Sequence, residues 1–375
     1  MGRPQMKIGI LTSSRADYGI YYPLLVKLKE DNYFDLRVLV FGTHLSKKYG
    51  LTVNTIENDG FKIGCRIKMT PRDDSPSAIS NAISKTIALF TTLWHRETFD
   101  LIIALGDRYE MFAAVISTVP FNIPVAHIHG GETTLGAIDN SFRHGITAMS
   151  KLHFTACEEY KKRVIDITGS AENVFDVGAL SIDLLDQMKF LTKEEFLAKY
   201  KIDLQKPTVL FTFHPETVSY QKNKEYIKTI IDVMDEYDNY QFVITMPNAD
   251  TMGNTIRESL THFIARKPNA FGVESFGSLG YLSCMKHCSF MMGNTSSGFI
   301  EASFFPKPVI NLGVRQKGRI ETPNIYTCSI HSYEIKKGIK WAEVFNDNQT
   351  ISKYGKGQAA LAIVKHIKAY NTKLD

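Results

Sequence analysis

The chain has no run of apolar residues approaching the roughly 18 needed to cross a bilayer, and its N-terminus carries no apolar signal-peptide core. The expectation is a protein of the cytoplasm. Its five cysteines, Cys65, Cys157, Cys284, Cys288 and Cys328, are odd in number and scattered, with no CxxC pair, so neither a disulfide framework nor a zinc site is indicated. There is no low-complexity tract and no repeat at a fixed short period. The formal charge of +5 is not gathered into one basic block, which suits a small anionic ligand better than a nucleic-acid track. The lysine-bearing GxxxxGK[ST] pattern of a phosphate-binding P-loop is also missing.

What is present is an ordinary globular composition, 44% hydrophobic and 22% charged, spread over 375 residues. At about 100 to 200 residues per domain that length suggests two domains. Met6-Lys7-Ile8 reads as a natural start directly before a strand, and the first five residues are left out of the fold reasoning. From there, short β-branched runs alternate with amphipathic segments of helical length, the pattern of a parallel sheet covered by helices on both faces. Strands are expected at 8–12, 36–41, 61–67, 101–104, 125–128 and 152–155. A second series is expected at 208–213, 242–246, 270–273, 290–292 and 309–312. Ile20, Leu24, Leu25 and Leu28 share one helical face, although Pro23 is comfortable only in a first turn. The charged stretch 180–207 is the expected connection, and 358–374 reads as a closing helix. The resulting division is residues 1–178, residues 179–355, and a final helix 356–375.

Ligands of open α/β sheets bind beyond the carboxyl ends of the strands, so the polar residues just after each strand are the ones to weigh. The turn Gly293-Asn294-Thr295-Ser296-Ser297-Gly298 follows an apolar strand and opens into an expected helix at Phe299-Ile300-Glu301. Its amides and hydroxyls suit a diphosphate, with help from the helix dipole, and Glu301 suits two ribose hydroxyls. Helix capping by Thr295 or Ser296 is the plainer alternative. Asp107 emerges after Leu101-Ile102-Ile103-Ala104-Leu105, where it is either a functional carboxylate or a helix cap. His127 and His129, at alternate strand positions, share a face and with Glu132 form a weak metal pattern or, more simply, hydrogen-bonding or acid/base groups. Asp139 and Arg143 lie one helical turn apart, the spacing of a surface ion pair, with His144 beside them. The basic loop Val314-Arg315-Gln316-Lys317-Gly318-Arg319 fits an anion clamp or a solvated turn, and the segment 66–77 fits a mobile lid.

Taken together the motifs resemble a known family. Ser14-Arg15-Ala16-Asp17-Tyr18-Gly19, Gly42-Thr43-His44-Leu45, Leu105-Gly106-Asp107-Arg108-Tyr109-Glu110, His127-Ile128-His129-Gly130-Gly131-Glu132, Asp139-Asn140-Ser141-Phe142-Arg143-His144, His214-Pro215-Glu216-Thr217, Pro247-Asn248-Ala249-Asp250, the 293–298 turn and Asn311-Leu312-Gly313-Val314-Arg315-Gln316 run in one order from about residue 7 to 320. The chain is similar to the hydrolysing UDP-N-acetylglucosamine 2-epimerases of bacterial sialic-acid synthesis and to the epimerase portion of the animal bifunctional enzyme. The resemblance implies a GT-B-like α/β fold of two Rossmann-type doubly wound domains with an interdomain cleft, the last helix returning to the first domain. It implies nucleotide-sugar contacts at Arg15, His44, Arg108, Arg143, His214, Asn248, Phe276, Thr295, Ser296, Ser297, Gly298, Glu301 and Arg315. Asp107 and Asp139 match carboxylates assigned to catalysis, with His129, Glu132 and His214 assisting. Many relatives have a glutamate where His129 stands and an aspartate where Asn140 stands, so the proton-transfer duty lies open between His129 and Glu132.

The hydrogen on carbon 2 of a nucleotide sugar is not next to a carbonyl and becomes acidic only as the bond to UDP breaks. The expected course is therefore elimination of UDP to a 2-acetamidoglucal, followed by addition of water with the opposite configuration at carbon 2. Free N-acetylmannosamine and UDP result, with no net redox change and so no nicotinamide or metal requirement. The expected partner is the UDP-linked sugar, with no nucleic acid and no membrane, and the resemblance suggests a homodimer or homotetramer. The alternatives are a hydrolysing 2-epimerase of a UDP- or GDP-linked 2,4-diacetamido sugar, a GT-B glycosyltransferase and a non-catalytic nucleotide-sugar sensor.

Overall fold

A computed structural model describes residues 5–247, 253–347 and 349–374. Among the described residues, thirteen parallel strands fall into two sheets. The first holds β1 (Met6–Thr12), β2 (Phe34–Phe41), β3 (Ile63–Ile67), β4 (Leu101–Leu105), β5 (Val125–Ile128), β6 (Leu152–Thr155) and β7 (Val174–Asp176), in the order β3-β2-β1-β4-β5-β6-β7. The second holds β8 (Thr208–Thr212), β9 (Gln241–Thr245), β10 (Ala270–Val273), β11 (Phe290–Gly293), β12 (Val309–Leu312) and β13 (Ile325–Cys328), in the order β10-β9-β8-β11-β12-β13. Each is the doubly wound order 3-2-1-4-5-6, the first with one further strand. Each reverses direction at one switch point, between β1 and β4 and between β8 and β11.

Contacts divide the chain into two compact units. The first comprises Met1–Glu132, Asp139–Asp186 and Tyr354–Asp375, and the second Thr133–Ile138 and Gln187–Lys353. The short segment 133–138 belongs to the second unit although both its neighbours in sequence belong to the first. Gly136 lies so close to the Val314 and Arg315 backbone that a side chain there would overlap it. Leu135 N also donates to Lys317 O at 3.0 Å.

The first sheet is buried on both faces, and its residues alternate accordingly. Ile8, Ile10, Val38, Val40, Leu101 and Ile103 join one core. Leu11, Leu39, Phe41, Ile102 and Ala104 join another with Phe90 and Trp94 of the helix Pro76–Trp94. The first core is closed by Leu24, Leu25 and Leu28 of the helix Arg15–Glu30 and by Ile363 and Ile367 of the helix Ala359–Leu374. That last helix is tied at its start by Asp183, whose two oxygens accept from the amides of Ala359 at 2.9 Å and Ala360 at 2.7 Å. Pro23 lies inside the helix Arg15–Glu30 and not in its first turn. Pro23 left the start of the helix open in the sequence, and Ser14 and Asp17 form the capping box that starts it at Arg15, two turns before the proline. The expected connection 180–207 holds two helices, Leu180–Gln187 and Lys193–Tyr200. No helix among the described residues is long and apolar enough to cross a membrane.

Candidate active site

In the first unit, the switch point brings the loop after β1 beside the loop after β4. Asp17 gathers the first loop: its carboxylate accepts from the amides of Ser13 at 2.8 Å and Ser14 at 2.9 Å, and from Thr12 Oγ1 at 3.0 Å. Burial opposes its charge, yet His44 and those amides hold its carboxyl below the usual carboxylate range. Arg15, half-buried, starts the helix directly beyond this turn. His44 is fully buried, with Nε2 2.9 Å from Thr12 Oγ1 and Nδ1 2.7 Å from Thr52 Oγ1. Both ring nitrogens are engaged, so the expected ligand contact becomes a brace for the β1 loop.

Asp107 is not a helix cap: Arg108 holds that position for the helix Tyr109–Ile116, and Arg108 itself donates to Glu110 at 3.1 and 3.2 Å. The Asp107 side chain reaches instead to Arg143 Nη2. Arg143 Nη1 donates to Glu132 Oε2 at 2.8 Å and approaches the His129 carbonyl at 3.3 Å. The other Glu132 oxygen lies 2.5 Å from His129 Nδ1. Residues from the loops after β4 and β5 and from the helix Asp139–Met149 thus form one chain, Asp107–Arg143–Glu132–His129. Arg143 and Glu132 side chains are each 2% exposed, His129 7% and Asp107 23%, so the chain runs from the interior to an accessible carboxylate.

Arg143 was expected as a surface pair with Asp139 or as a substrate contact. It is buried instead, and its guanidinium is spent on two carboxylates. Burial works against its charge, but Asp107 and Glu132 outweigh that and hold its pKa above the usual value. Asp139 opens the helix Asp139–Met149 and is half-buried.

His127 lies within β5, whereas His129 lies just past its end. His127 Nε2 is 2.9 Å from Gly106 O and Nδ1 3.1 Å from Thr147 Oγ1, and burial pushes its pKa down to about 3. His129 turns out of the strand with φ 63°, a left-handed conformation that costs a non-glycine residue about 1–3 kcal/mol. Gly131 follows with φ 78°, and a Cβ there would run into the Tyr160 carbonyl. Arg163 Nη1 donates to the Gly131 carbonyl at 2.7 Å and fixes the turn from the helix Glu158–Thr168. Strain at His129 is thus imposed by the turn that brings its ring back onto Glu132.

In the second unit, the switch point joins the loop after β8 to the loop after β11. Asn294, fully buried, clamps the His214 backbone, accepting from its amide at 2.7 Å and donating to its carbonyl at 2.8 Å. Gly293, with φ 137°, allows this approach, since a Cβ would collide with the Thr212 carbonyl. Glu216 Oε1 accepts from the Val314 amide at 2.6 Å, and burial nonetheless raises its carboxyl above the usual range. Arg315 Nε donates to Pro215 O at 3.3 Å, and Gln316 Nε2 to Asn294 O at 2.7 Å. Three loops therefore hold His214, the 294–298 turn and Arg315 in one fixed constellation.

Within that turn Thr295 is a cap, 3.4 Å from the Ser297 amide, and Ser297 Oγ lies 2.6 Å from Tyr281 Oη. Ser296 is exposed and Gly298 buried, where a Cβ would crowd Val309. The expected helix dipole is a correction: a 3-10 turn Ser296–Gly298 leads into a helix of four residues, Glu301–Phe304, too short to build a useful macrodipole. Any anion here is held by hydroxyls, amides and the nearby cation. Glu301 begins that helix and is buried. Phe276 caps the helix Gly277–His287, and its carbonyl accepts from Tyr200 Oη at 3.0 Å. Asn248 lies outside the described residues. The sequence did not single out Asn294, Glu216, Gln316 or Tyr281 as supports; of these, only Glu216 could have been suspected, from its place between His214-Pro215 and Thr217.

A family model described as UDP-N-acetylglucosamine 2-epimerase matches residues 26–368. The GDP/UDP-N,N'-diacetylbacillosamine 2-epimerase (hydrolyzing) of Campylobacter jejuni is 35% identical over 329 residues, 88% of this chain and 85% of that protein. Polysialic acid biosynthesis protein P7 of Escherichia coli is 34% identical over 372 residues, 97% of this chain and 94% of that protein. In fold, the chain is similar to the UDP-GlcNAc 2-epimerase of Neisseria meningitidis bound to UDP-GlcNAc, with a TM-score of 0.81 at 18% identity, covering 97% of this chain and all of the other. Two Rossmann-like domains of GT-B type, nine motifs in one order and a family match over most of its length say the same: the chain belongs to the UDP-N-acetylglucosamine 2-epimerase family.

Proposed function

We propose that the chain is a hydrolysing 2-epimerase of a UDP-linked 2-acetamido sugar that carries a second acetamido group at carbon 4. The observation that carries the epimerase reading is the buried chain Asp107–Arg143–Glu132–His129 at the carboxyl ends of β4 and β5. A glycosyltransferase of the same fold has no use for such a set, because it moves no proton at carbon 2. The diacetamido sugar is favoured over N-acetylglucosamine by the Campylobacter relative, whose name states that substrate and the hydrolysing course. The N-acetylglucosamine reading keeps the support of the polysialic acid relative, matched at nearly the same identity.

In this reading Arg315, His214 and the Ser296 turn of the second unit take the charge that builds on the leaving diphosphate. Phe276 and Glu301 hold the nucleoside. Asp107, His129 and Asp139 handle protons at carbon 2 and at the anomeric centre, and Glu132 supports them. The bond from the anomeric carbon to UDP breaks as carbon 2 loses its proton. Water then adds to the glucal, its oxygen going to carbon 1 and a proton to carbon 2 from the other side.

The test is incubation with the UDP-linked diacetamido sugar, its GDP counterpart and UDP-N-acetylglucosamine in deuterated water, followed by NMR. The expected result is free 2-epimerised sugar deuterated at carbon 2, with kcat/KM for the UDP-linked diacetamido sugar at least about ten-fold above the others. The reverse preference supports the N-acetylmannosamine reading. An epimer still bound to UDP, or no turnover without an acceptor, rejects the hydrolysing epimerase.

A further inference from the structure

The sequence leaves the proton-transfer duty open between His129 and Glu132, and the geometry separates them. Both Glu132 oxygens are committed: Oε2 accepts from Arg143 at 2.8 Å, and Oε1 lies 2.5 Å from His129 Nδ1. A carboxylate that accepts from a buried guanidinium is an acceptor only, so the proton between Oε1 and the ring belongs to Nδ1. That fixes the tautomer and leaves Nε2 as a bare lone pair, buried and without a hydrogen-bond partner among the described residues. Glu132 beside Nδ1 gives the imidazolium formed during turnover a counter-charge, and Arg143 holds that carboxylate in place.

We infer that His129 Nε2 removes the proton from carbon 2, and that Glu132 and Arg143 are positioning residues that orient the ring and stabilise its imidazolium form. This rests on the epimerase reading. The electron pair of the carbon 2–hydrogen bond becomes the carbon 1–carbon 2 double bond, and the pair of the anomeric carbon–oxygen bond leaves with UDP. The proton stays on His129 until it is lost to solvent. Carbon 2 receives a different proton from the second acid, which is restored by the proton that the added water gives up. The charged and titratable groups around the ring are His127 and Glu132 from its own segment, Arg143 from the helix Asp139–Met149, Asp107 beyond it, and Arg163 behind Gly131. His127 is held neutral by burial and does not compete for the proton near neutral pH.

Three measurements test this on the full chain. Nitrogen-15 NMR of histidine-labelled protein should show one ring, absent in His129→Gln, with its proton on Nδ1 and a bare Nε2; a proton on Nε2 overturns the assignment without any reliance on a variant's activity. His129→Gln should lower carbon 2 deuteration by about 100- to 10,000-fold while UDP affinity stays within about two-fold. Glu132→Gln should lower kcat and move the acid limb of the kcat/KM profile to lower pH by about 1 to 3 units, because the imidazolium loses its counter-charge. A merely structural Glu132 would leave that limb in place, and an unmoved limb or an active His129→Gln overturns the inference. A wild-type protein that turns over while His129→Gln equals it defeats this assignment alone; a wild-type protein inert on every nucleotide sugar defeats the epimerase reading beneath it.

Discussion

Arg143 Nη1 donates to Glu132 Oε2 at 2.8 Å, and each of the two side chains is only 2% exposed. The same guanidinium reaches Asp107, so one cation satisfies two carboxylates delivered by different strand ends. A planar fork can do this, whereas the single ammonium of a lysine cannot hold both in fixed geometry. Removing the cation leaves Glu132 as an uncompensated buried charge. Arg143→Met should destabilise the protein by about 3–5 kcal/mol and lower its Tm by on the order of 10 °C, read by calorimetry. Arg143→Lys should retain more stability than the methionine variant and still lose turnover; equal Tm values for wild type and Arg143→Met would contradict the buried pairing.

Two histidines make stability depend on pH. Burial lowers the pKa of His127 to about 3 and that of His153 to about 4, both below the ordinary value of 6.5. The unfolded chain therefore binds protons that the folded chain refuses. Their contribution is fully present above pH 6.5 and is lost as pH falls from there towards 4, each residue removing up to about 1.4 kcal/mol per unit. Urea unfolding at pH 7.0 and 5.5 should show this loss, and His127→Gln should flatten the slope by about half. An unchanged slope would mean that His127 is not kept neutral.

Gly293 accepts no side chain. Its φ of 137° and the nearness of the Thr212 carbonyl predict that Gly293→Ala destabilises the second unit by about 1–3 kcal/mol or more. It should also weaken UDP binding, because the turn carrying Ser296 must move. Calorimetric titration with UDP, beside a thermal melt, checks both halves.

Asn294 is the other support of that turn. Asn294→Ala strips the His214 amide and carbonyl of the Asn294 side-chain bonds, at a cost of about 1–3 kcal/mol for each buried group left unpaired. UDP affinity should fall by roughly ten-fold or more. A variant that binds UDP as wild type does would remove His214 from the proposed diphosphate site.

Most strands that the sequence announces are buried on both faces, such as Val125–Ile128 and Leu152–Thr155, though the edge strands Ile63–Ile67 and Ala270–Val273 are announced as well. Val174–Asp176 and Ile325–Cys328 escape notice because they are short and part-exposed, with polar residues mixed in. In the site, motif order brings out the loops, since each follows a legible strand. What it cannot bring out is non-local pairing. Arg143 sits four residues after Asp139, and that local spacing suggests a surface pair, while its guanidinium bonds to residues 107, 129 and 132. Nor does a histidine announce a left-handed backbone, which only the glycines after His129 hint at.

The first unit is assembled from three separate stretches of chain, and Ile363 and Ile367 from the last of them stand in its central core. Synthesis from the N-terminus therefore completes the second unit, 133–138 and 187–353, while the first still lacks a wall. Domains that fold as they emerge usually do so in sequence order, and here that order is reversed at its end. Until the helix Ala359–Leu374 has been made, Leu24, Leu25 and Leu28 lack the cover that Ile363 and Ile367 give them, and a wall of the first unit waits on a segment made after the second.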